Sequence, residues 1–166
     1  MRVQFLFLFV FTNLIFSQNS PLLDKISSEK IIYTEKKIHV DMMNNIYYLS
    51  GSELSKNKKL FFSDFSLGDI SNVDLFNPLK LKVWYKDYNT MVVLDNFLNE
   101  IVRVNFNNLN DPNEISHVSS SNENTMWVFD QLSMKIKKFD YIENSFVKGV
   151  EVLLTENIID MNSNYN

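Results

Sequence analysis

The run LKLKVWYKDYNTMVVLDNFLNEIVRVNF, from Leu79 to Phe106, decides the fold. Leu79, Leu81, Val83 and Tyr85 alternate with Lys80, Lys82, Trp84 and Lys86, the period of two expected of a half-buried strand. On that reading the lysines and Trp84 form an outward face. Lys86 to Asn89 makes a polar turn, and Met91-Val92-Val93-Leu94 is an apolar run suited to a strand covered on both faces. Asp95 to Asn99 supplies turn formers, after which Val102, Val104 and Phe106 alternate with Arg103 and Asn105. Three strands joined by short turns make an antiparallel meander. Val93, Leu94, Val102 and Val104 are its expected core, so an aspartate at Val93 is expected to unfold the domain.

Outward from this run the composition agrees. The chain has 166 residues, 45% of them hydrophobic and 14% aromatic, enough for one packed domain. Three prolines and three glycines leave no visible linker, and asparagine takes over the turn positions that need a left-handed backbone. Long stripes of helical period are absent, so the chain reads as all-β.

The start reads differently. One positive charge, Arg2, precedes the apolar run Phe5 to Phe11 and its continuation to Phe16, and Ser17 ends it. That is the pattern of a signal peptide over residues 1–17, too short and too early broken by Asn13 for a membrane span. Residues 18–37 form a polar lead-in expected to add one strand, and residues 38–166 form the β domain. Losing Arg2 with the leader takes the formal charge from −4 to −5. A mildly acidic chain gives no reason to expect nucleic acid or anionic lipid as partner. With no cysteine there is no disulfide, no thiol chemistry and no lipid-carrying residue. No serine-hydrolase elbow, phosphate loop, dinucleotide fingerprint or zinc-protease motif occurs.

From Ile38 onward a pattern recurs. Ile38 to Asn45, Ser71 to Pro78, Ser116 to Glu123 and Asn157 to Asn164 share a frame: a β-branched residue, usually an acid or hydroxyl next, then an asparagine-rich turn. The anchors Val40, Val73, Val118 and Ile159 are 33, 45 and 41 residues apart. An all-β repeat of roughly 40 residues points to propeller blades, each a four-stranded meander. About three blades are present and a fourth begins; an open β-sandwich is the alternative. A second match sets Val93 to Ile101 against Val128 to Ile136, each reading as strand, aspartate, turn, strand. Asp95 lies 22 residues after Val73 but Asp130 only 12 after Val118. Either the second blade holds an extra strand pair or the two hairpins occupy different places in their blades.

The series LGDI at Leu67, NPLK at Asn77, YKDYNT at Tyr85 and LDNFLNE at Leu94 resembles a family of exported bacterial β-propeller-like proteins with no assigned activity. The resemblance covers most of the chain from Ile38 and implies a propeller fold, with no functional residues to carry over. Members are longer, so the resemblance implies a fragment of a longer propeller or an early-stopped copy.

Three constellations are candidates for chemistry. His39 and His117 each precede an anchor and could pair on the rim of a central channel; otherwise they are repeat positions without mutual contact, since no third ligand stands at a suitable spacing. Asp41, Asp74 and Asp160 each follow an anchor, with Asn44, Asn77 and Asn122 a little further on. Inner-strand oxygens of this kind can converge on calcium; alternatively each closes its own turn. Trp84, Tyr85 and Tyr88 beside Lys80, Lys82 and Lys86 could form an aromatic and basic platform, or simply one strand's two faces. Trp127 reads as core. The residues therefore point to an exported, non-enzymatic binding or scaffold module with a protein partner and no cofactor. The alternative is a metal-dependent propeller hydrolase with a channel-centred calcium.

Overall fold

The structure is a computed structural model that describes residues 37–163. The leader and the lead-in lie outside the described residues, except Lys37, which opens the first strand. The described chain forms three sheets, each a four-stranded antiparallel meander in sequence order. The first holds β1 (Lys37–Val40), β2 (Ile46–Ser50), β3 (Glu53–Lys56) and β4 (Leu60–Ser63). The second holds β5 (Asn72–Asp74), β6 (Leu81–Tyr85), β7 (Thr90–Leu94) and β8 (Glu100–Asn105). The third holds β9 (Ile115–Ser120), β10 (Thr125–Asp130), β11 (Lys135–Asp140) and β12 (Ser145–Leu153).

The repeat now has a structural meaning. Val40, Val73 and Val118 each lie in the first strand of a sheet. The fourth anchor does not follow suit: Ile159 is in no strand and is 98% exposed. The two aspartate hairpins sit at different places in their blades, because Asp95 follows the third strand β7 while Asp130 ends the second strand β10. No extra strand pair exists in the second sheet.

Turn chemistry explains why these strands end where they do. Asp41 and Asp95 open the same five-residue turn. In each, one carboxylate oxygen accepts the N–H groups two and four residues on, and the other accepts the side-chain amide of an asparagine four residues on. The fourth position is left-handed, with φ of 62° at Asn44 and 66° at Leu98. A leucine is an unusual occupant of that region. Its side chain is buried in the core, which offsets the backbone cost.

Two apolar clusters hold the three sheets together. One joins Tyr47, Leu49 and Leu54 of the first sheet to Leu81, Val83, Tyr85, Val92 and Leu94 of the second. The other joins Trp84, Met91, Val93 and Val104 of the second sheet to Val118, Met126, Val128 and Phe139 of the third. Alternation along β6 and β7 thus sorts side chains between two neighbours, and every residue of both strands is buried. The expected outward face of β6 is therefore corrected: Lys82 and Trp84 are buried because the third sheet covers them. Leu79, expected inside, lies before the strand and is 57% exposed. Val93, Leu94 and Val104 are buried as expected, and Val102 packs half-buried against the cluster that holds Val93 and Val104.

Candidate binding cleft

The first strands β1, β5 and β9 gather around a cleft of about 490 Å³. His39, Asp41 and Met42 enter it from the first sheet, Asp74 and Phe76 from the second, and Val118 from the third. Residues 161–163 close the remaining side, held against β9 by Ser163, which hydrogen-bonds the Ser119 hydroxyl and the Ser120 carbonyl. Among the described residues no lysine or arginine lines the cleft, and Asp41 and Asp74 give this lining its negative charge.

Both carboxylates are already engaged. Asp41 accepts four hydrogen bonds, the fourth from the Tyr47 hydroxyl at 3.1 Å. Burial raises the Asp41 pKa, but these bonds outweigh it and hold the carboxyl below its ordinary range. Burial, and then the same carboxylate, pushes the Tyr47 phenol well above its usual range. Asp74 accepts the N–H of Phe76 at 2.8 Å within its own turn and the N–H of Ser120 across the sheet interface. Lys82 completes this latch: its ammonium donates to the Ser120 hydroxyl at 2.8 Å and stands 5.8 Å from the centre of the Tyr141 ring. Burial lowers the Lys82 pKa, and Asp74 partly restores it.

The candidate residues separate. Asp41 and Asp74 share the cleft with His39, whereas His117 and Asp160 line a second cleft of about 380 Å³ with Lys37 and Trp84. His117 is bonded by the Ser116 hydroxyl at 2.9 Å and the Ile159 carbonyl at 3.1 Å, so the two histidines belong to different clefts. Burial, helped by Lys37, lowers the His39 pKa and leaves that ring neutral at pH 7. Asp160 caps the backbone of Met161 and the amide of Asn162. Among the described residues no group of three His, Asp or Glu side chains is placed to hold a metal ion.

The aromatic and basic platform does not form. Trp84 and Tyr85 point to opposite faces of β6 into different clusters, and Lys82 is buried. Trp84 packs edge-on against Phe106 with ring centres 5.8 Å apart. Burial, then Asp64, pushes the Tyr85 phenol up to about 12. Of its aromatics Tyr88, in the turn after β6, stands exposed, next to the exposed Lys86. Sequence reading missed the latch of Asp74, Lys82 and Ser120. Its one visible signal was a lysine within an apolar strand, which also fits a solvent face.

No protein-family model matches the chain, and no curated protein matches it in sequence. Solved structures do match in fold. AztD from Citrobacter koseri, in its apo form, superimposes with a TM-score of 0.51 at 13% identity, over 73% of this chain and 35% of that one. The virginiamycin B lyase of Staphylococcus aureus gives a TM-score of 0.45 at 9% identity, over 72% of this chain and 41% of that one. The chain thus spans little more than a third of the length of AztD. AztD is β-propeller-like, and the three meander sheets are blades of that kind.

Proposed function

We propose that the protein is an exported, non-enzymatic binding or scaffold module that engages another protein at the cleft of the first strands. The supporting observation is the cleft itself: three blades present their innermost strands to one electronegative hollow whose carboxylates are taken up by turn and interface N–H groups. Met42, which is exposed, and Met161 both line the cleft and give it an apolar rim. Methionine is well suited to surfaces that adapt to a partner.

Calcium separates this reading from a channel-centred hydrolase. Neither added calcium nor a chelator is expected to move the melting temperature by more than ~1 °C, since a ligand stabilises only by binding the folded state. A calcium-dependent rise abolished by Asp74→Asn would overturn the binding-module reading. A photo-crosslinking residue at Met42 is expected to capture a protein, whereas one at Tyr88, outside the cleft, is not.

Export supports the same reading through the leader pattern of residues 1–17. N-terminal sequencing of the accumulated protein should begin near Gln18. An intact Met1 in a soluble cytoplasmic pool would refute export.

A further inference from the structure

The first strands reach the cleft in different states. In β9 every residue but His117 is buried, and both backbone groups of Ser120 are engaged: its N–H donates to Asp74 and its carbonyl accepts the Ser163 hydroxyl. β1 is the exposed one, with Ile38 38% and Val40 59% exposed.

Register fixes which way the β1 backbone points. The Asp41 N–H donates to the Asn45 carbonyl, across the turn that joins β1 to β2. Ile46, opposite Val40, spends both of its backbone groups on Asn57, on the side away from β1. Bonding alternates along an antiparallel pair. His39 therefore bonds Tyr47, while the N–H and carbonyl groups of Ile38 and Val40 point away from β2. Among the described residues none of these four groups has a partner, and Val40 lines the cleft. Such an edge is a template for another strand.

The cleft selects the strand. Asp41 and Asp74 lie in its lining, and among the described residues neither has a cation within ion-pair distance. A second copy of this chain, with its formal charge of −4, is a poor match to that lining. Met42, Val118 and Met161 add apolar walls.

We infer that the partner segment is an extended, basic peptide that adds a strand to the free edge of β1. The inference rests on the cleft being the binding site proposed above. Main-chain bonds to Ile38 and Val40 hold the peptide, and its side chains give specificity. A lysine or arginine answers Asp41 and Asp74, and alternate apolar side chains meet the walls.

A labelled octapeptide of alternating lysine and valine, titrated into the purified protein and followed by fluorescence anisotropy, tests the pairing. It is expected to bind below ~1 mM, and the matching peptide of glutamate and valine is not. N-methylation of either all its lysine or all its valine amides separates edge pairing from charge. One set should weaken binding by about tenfold or more, because β1 carbonyls lose their donors. The other set should be tolerated, because its N–H groups point away from β1. Val40→Pro removes one outward N–H, a change that edge strands accept on that side, and should also cost about tenfold. Val40→Ala keeps the N–H and should bind as the wild type does. An unchanged melt shows that Val40→Pro is folded; if it melts early, the methylated peptides decide. No binding of the basic peptide, equal binding of the acidic one, or equal losses from both methylations overturns the proposal. Protein capture from Met42 alongside any of these results leaves the cleft reading standing, so the two fail separately.

Discussion

Val83→Asp is expected to unfold the protein, whereas the same substitution at Val93 should leave it folded but weakened. Both valines are fully buried, and both lie in the middle sheet. Their surroundings differ. Val83 pairs with Val73 and Val92 in the cluster shared with the first sheet, so an aspartate there meets only apolar neighbours. Losing the valine costs roughly 1.5–3 kcal/mol. Burying an unpaired carboxylate adds several kcal/mol more, which together approach the whole stability of a small domain, about 5–15 kcal/mol. Val93 faces the third sheet, and its partner across β6 is Lys82. Side chains opposed in this way have Cβ atoms about 4.5–5.5 Å apart, within reach of an ion pair. The new carboxylate thus finds a buried ammonium, and the expectation drawn from sequence at this position is revised to a loss of ~2–3 kcal/mol, mainly packing. Urea denaturation followed by circular dichroism decides: equal losses at the two sites would mean that Lys82 does not reach position 93.

Asp130→Ala is expected to cost about 3–5 kcal/mol, the range for breaking a buried ion pair. The Asp130 carboxylate is fully buried at the end of β10. One oxygen accepts the N–H groups of Glu114 and Leu132, and the other accepts the Ser133 hydroxyl and the Lys137 ammonium at 2.7 Å. Removing it strands the ammonium, reopens the β10–β11 turn and frees the segment that leads into β9. Burial pushes the Asp130 pKa up, but the Glu114 N–H, Lys137 and Ser133 outweigh it, and the folded value lies below the ordinary one. A carboxyl depressed on folding contributes stability in full above its unfolded pKa of about 4 and loses it as pH falls through the folded value. The wild type should therefore weaken in acid from about pH 5 downward. Asp130→Asn should weaken less steeply over that window. Parallel pH curves for the two proteins would show that this carboxyl does not carry the acid sensitivity.

Much of the fold was legible because its signals are local. Strand alternation from Leu81 to Tyr85, the apolar run from Met91 to Leu94 and the turns opened by Asp41 and Asp95 each depend on residues a few positions apart. The roughly 40-residue repeat exposed the blades because each blade is the same local meander written again. Asp41 and Asp74 were found as candidates for the same reason, as repeat positions at the ends of first strands.

The sequence by itself determined which side chains share a face of each strand, where each meander turns, and that the meander repeats. It could not determine what each face meets. The row holding Lys82 and Trp84 is polar enough for water, and it is buried because a third sheet, some 40 residues further along, packs upon it. The same packing carried Asp41 and Asp74 into one cleft and left His117 and Asp160 in another. Periodicity records the geometry of a single strand, but burial is a property of pairs of sheets, and pairs of sheets exist only once the sheets have packed together.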